Sequence, residues 1–234
     1  EQFRLLGERL FARGANVYIP RLPEHELADR MSPAQAALDA PALCRATDEA
    51  VDVACGLGDS VIVVGLCIGG TMATWAGQER SDVARAVTIA PLVGLRRAPG
   101  VFTTPAMNLL RVLPNQFIWW DGKRKRDLPG PKHVYPRFST RAVAEGLRLA
   151  GAVEADARRA RPAAGSIVVI TVGSDIAVDN GAVARLVRRW RARGAVVRTY
   201  EFAAWLGLNH DIVDPEQVGG NPPLVYPVLL DLIA

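Results

Sequence analysis

A chain of 234 residues, half of them hydrophobic, is long enough to bury one substantial core, as a single domain with or without an insertion. The formal charge of +4 comes from Lys and Arg residues that are spread along the chain, which argues against a nucleic-acid-binding surface. Three cysteines, an odd number without metal-ligand spacing, predict reduced thiols, a cytoplasmic setting and no metal or other cofactor.

Helical and extended patterns alternate along the chain. In chain order the predicted elements are a helix at 1–13, a strand at 16–20, a helix at 32–55, a strand at 61–66, a helix at 68–78, a strand at 84–91, a helix at 141–161, a strand at 166–172, a helix at 181–193, a strand at 196–202 and a helix at 222–234. Ser32 and Pro33 are typical of an N-cap and a first helical position. This alternation predicts right-handed βαβ units in an α/β domain, with a largely parallel sheet covered on both faces.

Residues 92–140 depart from this rhythm and are predicted to form a cap or lid insertion. They are rich in Pro and Gly and contain Trp119, Trp120 and a basic run at 123–126. The two tryptophans either line an acyl pocket or anchor the lid to the body of the domain. The basic run is typical of a solvated loop, and an acidic partner or a lipid headgroup is the less favoured alternative.

The stretch Val61–Trp75 organises the rest of the chain. A short β-branched run leads into a turn in which Gly65 and Gly69 stand two residues on either side of Cys67. This is the spacing of a nucleophile elbow, with sulfur in place of oxygen. Because such a turn is sharp, we expect a strained central residue and a need for both glycines. Gly70 is expected to extend the clearance where the helix approaches the sheet.

Two alternative structures compete for this stretch. Residues 60–78 carry no charge, so a transmembrane helix has to be considered. A pair of adjacent glycines, the β-branched first half, Thr71 and Thr74 argue against it. A buried structural cysteine on an ordinary strand-to-helix turn is the second alternative, since cysteine is often buried.

Three chemically capable side chains follow predicted strands, namely Cys67, Asp175 and His210. The carboxyl ends of parallel strands meet at one edge of a sheet, where the chemistry of α/β folds gathers. A cysteine attacks as the thiolate, which a helix N-terminus favours, and it requires an imidazole that a carboxylate orients. We therefore predict Cys67 as nucleophile, His210 as general base and Asp175 as the orienting acid.

Other residues could fill the same roles. His25 lies in a Pro-rich loop and is expected to face solvent, and His133 lies in the insertion and is expected to be structural or exposed. Asp179 competes with Asp175 for the position of the acid. Asp211, next to the predicted base, is expected to fix its loop or to cap the next turn.

The order of nucleophile, acid and histidine resembles that of the α/β-hydrolase superfamily over nearly the whole chain. The elbow at 65–70, the acid loop at 173–178 and the histidine loop at 208–211 carry the likeness, which is nearest to the carboxylesterase and monoacylglycerol-lipase-like branch. That branch uses serine, but dienelactone hydrolases run the fold on a Cys-His-Asp triad. The resemblance implies hydrolysis of a small-molecule carboxylic ester or thioester through an acyl-enzyme, with the backbone N–H of Ile68 as one oxyanion donor.

The resemblance leaves two functional alternatives open. A relative that kept the fold but lost the serine could bind a ligand or partner without catalysis, and an acyltransferase would pass the acyl group to an acceptor other than water. No nucleic-acid partner and no transmembrane segment are predicted, and the oligomeric state is left unspecified.

The resemblance also implies a further strand before the first helix, lying between the strands predicted at 16–20 and 61–66. The loop after that strand would supply the second oxyanion N–H. Because the sequence starts within the first helix, we expect an N-terminal piece of the natural protein to be absent from it. The strands at 16–20 and 61–66 should then lie nearly two ladder steps apart, about 10 Å.

Overall fold

The structure is a computed structural model that describes residues 1–25, 27–96, 100–128 and 130–234. Parts of the predicted loop at 21–32 and of the predicted insertion at 92–140 therefore lie outside the described residues. The helices are α1 (Arg4–Phe11), α2 (Ala40–Cys55), α3 (Ile68–Glu79), α4 (Gly100–Val112), α5 (Thr140–Asp156), α6 (Asn180–Ala192) and α7 (Pro222–Ile233). The strands are β1 (Val61–Leu66), β2 (Val83–Ile89), β3 (Phe117–Trp119), β4 (Arg137–Ser139), β5 (Ser166–Val172) and β6 (Val197–Phe202).

Four strands form a parallel central sheet in the order β1-β2-β5-β6. Alternate residues of β5 point to opposite faces, as the twofold repeat of a strand requires. Val168 and Ile170 pack with side chains of α7 on one face, and Ile167 and Val169 pack with side chains of α6 on the other. The prediction of a parallel α/β sheet covered on both faces is confirmed.

Residues 100–139, which we call the cap, lie between β2 and α5 in the chain. They contain α4 and an antiparallel hairpin of β3 and β4. Helix α4 packs along α5, and the Nε of Arg111 donates to the buried carboxylate of Glu145 at 2.8 Å. The other oxygen of Glu145 accepts the N–H of Ala40 at 3.1 Å, so one carboxylate joins the cap to both α5 and α2.

The prediction of a strand at 16–20 is wrong, because these residues have no regular structure. A strand needs a neighbour with which to exchange hydrogen bonds, and within the described ranges β1 pairs with β2 alone. The side chains of Val17 and Ile19 instead pack against Gly7 of α1. Residues 16–20 are not paired with β1. Because they form no strand, the expected spacing of about 10 Å between two strands does not apply to them. The absent N-terminal piece stays a prediction.

The helix predicted at 32–55 is divided in two. A single 3-10 turn covers Ala34–Ala37, Leu38 is extended, and α2 starts only after Asp39, whose carboxylate accepts the N–H of Ala42 at 2.7 Å. The division follows from Pro41, which has no N–H to continue a helix but fits a first turn.

The transmembrane alternative for residues 60–78 is also wrong. The stretch divides into β1 and the 12-residue α3. None of the helices in the described ranges combines the length and the hydropathy needed to cross a bilayer.

The N-cap residue of α2, Asp39, gives a test of these helix boundaries. Asp39→Ala should lower the free energy of unfolding by about 1 kcal/mol, because it removes the acceptor for a first-turn N–H. Ser32→Ala should change it by less than about 0.5 kcal/mol, because Ser32 accepts only the N–H of Ala34 in the 3-10 turn. Urea unfolding followed by circular dichroism measures both, and equal losses would contradict the assignment.

Candidate active site

Cys67 lies in the turn between β1 and α3, with φ 55° and ψ −117°. Few residues other than glycine adopt a positive φ, so this backbone is strained and must be held in place. The N–H of Cys67 donates to the carbonyl of Ile89 at 3.0 Å, and its own carbonyl accepts from Thr71 at 2.9 Å and from Leu92 at 3.1 Å. Bonds to β2 and to the segment after it thus hold the thiol just past the end of β1.

The glycines of this turn are not equivalent. A Cβ on Gly65 would lie 2.0 Å from the carbonyl oxygen of Gly69, and one on Gly70 would lie 2.9 Å from the carbonyl oxygen of Ile89. A Cβ on Gly69 would have no atom within 4 Å. The expectation that both glycines flanking Cys67 are needed is therefore correct for Gly65 and wrong for Gly69, while the clearance expected at Gly70 is observed.

Asp175 follows β5 and is 1% exposed. One carboxylate oxygen accepts the N–H groups of Ala177 at 2.7 Å and Val178 at 3.3 Å, and the other accepts the Nδ1–H of His210 at 2.6 Å. Burial raises the pKa of Asp175, but the His210 hydrogen bond and charge, together with the two backbone donors, lower it below its ordinary value. The carboxylate therefore stays ionised while buried.

His210 lies in the loop after β6, and its bond to Asp175 fixes the ring. Its other nitrogen, Nε2, is buried and has no hydrogen-bond partner among the residues that the structure describes. Burial lowers the pKa of His210, but the charge of a Cys67 thiolate and the bond to Asp175 outweigh it and raise the pKa well above the ordinary value. Cys67, His210 and Asp175 are therefore neighbours with coupled charges.

The alternative carboxylates have other tasks. Asp179 accepts the N–H of Gly181 at 2.8 Å as the N-cap of α6 and pairs with Arg185. Asp211 accepts the N–H groups of Val213 and Asp214, both at 3.1 Å, which is the loop-fixing role expected of it.

The alternative histidines are likewise engaged elsewhere. His25 bonds through Nδ1 to the carbonyl of Pro23 at 2.7 Å and stacks on Tyr135. His133 bonds through Nε2 to Asp214 at 2.8 Å. The structure thus brings His210 together with Cys67, whereas the rings of His25 and His133 bond to other partners.

Ile68 begins α3 directly after Cys67. The N–H groups in the first turn of a helix have no intrahelical acceptor and lie at the positive end of the helix dipole. The N–H of Ile68 donates to no group within the described part of the chain, so it is available to an oxygen bound beside the sulfur.

The two tryptophans lie on the cap hairpin. Trp119 is half-buried, and Trp120 packs on the ring of Phe138 at a centroid distance of 4.4 Å while 56% of it is exposed. Neither tryptophan belongs to the apolar cluster against which Cys67 packs in the described residues. Their lining of an acyl pocket stays a prediction.

One set of contacts that supports the site could not be predicted from the sequence. Leu95 forms an isolated antiparallel bridge to Val178, the N–H of Arg96 donates to the carbonyl of Ala177, and the Arg96 guanidinium donates to the carbonyl of Asp175. The segment after β2 therefore supports the acid loop through backbone groups and the Arg96 side chain, and no spacing of residue types would reveal these contacts.

The model of the alpha/beta hydrolase family matches residues 2–218 of the chain. No curated protein sequence matches the chain significantly.

Similar solved structures include one from work on LipS and LipT, two metagenome-derived lipolytic enzymes, with 20% identity, coverage of 99% of this chain and 87% of the other, and a TM-score of 0.69. The monoacylglycerol lipase of Paleococcus ferrophilus has 17% identity, coverage of 99% and 88%, and a TM-score of 0.69. A pyrethroid hydrolase from Sphingobium faniae JZ-2 has 17% identity, coverage of 98% and 90%, and a TM-score of 0.56. At such identities these likenesses support the fold.

The different surroundings of Gly65 and Gly69 give one prediction. Gly65→Ala should lower the free energy of unfolding by about 3 kcal/mol, because the new methyl group would meet backbone atoms that have little room to move. Gly69→Ala is the matched control and should change it by less than about 1 kcal/mol. Denaturant unfolding compares the two variants, and similar losses would contradict the steric argument.

The coupled charges give a second prediction. At about pH 6 iodoacetamide should alkylate Cys67 at least about tenfold faster than Cys44 or Cys55, because of the three thiols only Cys67 has an imidazole, that of His210, coupled to it and able to take its proton. The pKa of both control thiols is raised, at Cys44 by burial and the charge of Asp48, and at the exposed Cys55 by partial desolvation and the charge of Asp82, so their rates should fall steadily as the pH is lowered.

Peptide mass spectrometry at each pH resolves the three cysteines. His210→Ala should reduce Cys67 to the rate of the other two thiols. An ordinary pH profile for Cys67 in the unaltered protein would contradict the paired thiolate.

Proposed function

The chain is a hydrolase that belongs to the alpha/beta hydrolase family, and we propose that it hydrolyses carboxylic esters or thioesters through an acyl-enzyme on Cys67. One observation carries the proposal: His210 is bonded to the buried Asp175, its Nε2 has no hydrogen-bond partner in the described residues, and its charge is coupled to that of Cys67 on the strained turn. A nucleophile, a base and a group that orients the base are the parts that covalent acyl transfer requires.

Acylation uses the proton that His210 holds. The Cys67 thiolate attacks the carbonyl carbon of the substrate, and the carbonyl oxygen takes the negative charge. The N–H of Ile68 donates to that oxygen as one oxyanion donor. The tetrahedral intermediate collapses as the Nε2–H of His210 protonates the departing alkoxide or thiolate. An alcohol or thiol leaves, and the acyl group remains on sulfur as a thioester.

Deacylation reverses the role of the imidazole. Neutral His210 takes a proton from water through Nε2, and the hydroxide attacks the thioester carbonyl. Collapse expels the Cys67 thiolate and releases a carboxylic acid, which restores the starting pair. Asp175 is 1% exposed and bound to Nδ1 in both steps, so it keeps the ring oriented and stabilises the imidazolium without itself taking the proton.

The substrate class rests on sulfur chemistry and on the similar structures. The lipolytic enzymes, the monoacylglycerol lipase and the pyrethroid hydrolase are named for ester-containing substrates. A thiolate attacks activated esters and thioesters well, and the thioester it forms is open to water. We therefore expect a small-molecule ester or thioester with a modest acyl or aryl substituent. A binding protein without catalysis is the rival, and it predicts an ordinary Cys67 thiol.

Turnover of p-nitrophenyl esters tests the proposal. The protein should release p-nitrophenol, and Cys67→Ala should lower kcat/KM by about 10³-fold, because the covalent route is lost. Cys44→Ala and Cys55→Ala are the matched thiol controls and should retain the activity. Equal rates for the unaltered protein and Cys67→Ala would remove Cys67 from the mechanism.

Trapping of the intermediate sharpens this test. Rapid acid quenching followed by mass spectrometry should place one acyl group on the peptide that contains Cys67. Neutral hydroxylamine should remove it, as expected of a thioester. Turnover without any acylated peptide, in a protein whose Cys67→Ala variant remains active, would contradict the acyl-enzyme.

A further inference from the structure

A second pair of a histidine and a buried aspartate lies outside the proposed catalytic groups. The Nε2 of His133 bonds to Asp214 Oδ2 at 2.8 Å, and Asp214 is 1% exposed. His133 belongs to the cap, whereas Asp214 lies four residues after His210. The acylation and deacylation steps use neither residue.

Asp214 is part of a compact loop that begins at His210. Within this loop Asp211 Oδ1 accepts the N–H groups of Val213 and Asp214, both at 3.1 Å. The other carboxylate oxygen of Asp214, Oδ1, accepts the N–H of Glu216 at 2.9 Å. These bonds tie Asp214 to Asp211, which directly follows His210 in the chain.

Besides Asp175, which bonds to His210, three side chains from other parts of the described chain hold this loop. Gln2 donates to Asp211 at 2.6 Å, the hydroxyl of Tyr226 in α7 donates to the carbonyl of Val213 at 2.7 Å, and His133 bonds to Asp214. Of these three, His133 is the one that the cap supplies. It bonds to a carboxylate that is shielded from water, and a buried charge left without its partner is strongly unfavourable.

We propose that His133 and Asp214 are positioning residues that couple the cap to His210, so that the reactivity of the Cys67–His210 pair depends on this contact. The inference rests on the proposed function of Cys67. His133 touches none of the reacting groups and acts through the loop 210–214. Glu216, whose carboxylate lies 3.9 Å from Nδ1 of His133, is the second acidic group beside that ring.

Alkylation of Cys67 by iodoacetamide at about pH 6 tests the coupling without knowledge of the substrate. His133→Ala should slow alkylation of Cys67 about three- to tenfold, because His210 is held less well, and should leave Cys44 and Cys55 unchanged. His133→Gln keeps an N–H donor at similar reach and should restore most of the rate. The same order should appear in kcat for a p-nitrophenyl ester, with little change in KM.

His25→Ala is the matched control. His25 also joins segments distant in sequence, through its stacking on Tyr135, and it bonds to Pro23 and Gln35, and these three residues lie outside the loop 210–214. Its removal should alter Cys67 alkylation less than about twofold, whatever it does to the melting temperature. Asp214→Ala should slow alkylation at least as much as His133→Ala, because it removes the same contact and also the acceptor for the N–H of Glu216, and the double variant should be no slower than Asp214→Ala.

The outcomes separate the two proposals. Equal Cys67 alkylation in the unaltered protein and in His133→Ala, even with a lowered melting temperature, would show a merely structural tie and overturn the coupling alone. Additive effects of His133→Ala and Asp214→Ala would overturn it as well. Slow alkylation of Cys67 already in the unaltered protein would overturn the paired thiolate and, with it, the coupling.

Discussion

A buried carboxylate that must stay ionised is the constraint on which the rest of the site depends. Asp175 has almost no access to water, so its charge has to be matched by donors within the fold. Two N–H groups of its own loop and the Nδ1–H of His210 supply them, and the segment after β2 supports that loop from outside. The orientation of His210 follows, since the ring has one nitrogen committed to Asp175 and the other left for the thiol.

Close packing of backbone atoms places the nucleophile. Helix α3 can begin directly beside the sheet because Gly65 and Gly70 leave room for backbone atoms of the turn and of β2. The strained conformation of Cys67 is then held by three main-chain hydrogen bonds, so the strain is sustained by the surrounding structure. The thiol lies at the N-terminus of α3 beside the N–H of Ile68, at the positive end of the helix dipole.

The cap contacts the body of the domain through buried carboxylates. Glu145 joins α4 to α5 and α2, and Asp214 receives His133 beside the histidine loop. Each contact places a carboxylate of the body against a cation or an imidazole of the cap, in surroundings where loss of one partner is costly. The cap is thereby tied to α5 and α2 through Glu145 and to the loop after His210 through Asp214.

Local pattern was enough to predict the parallel sheet, the turn at Cys67 and the placement of Asp175 and His210 at strand ends. β-Branched runs report burial, and strands of one parallel sheet end at one edge whatever their order. Pattern failed at 16–20 and at Asp39, and it could not tell Gly65 from Gly69. A strand exists only beside a partner, and a glycine is needed only where another backbone approaches. The bond of His133 to Asp214 spans 81 positions, and only packing of the cap against the body decides such a pairing.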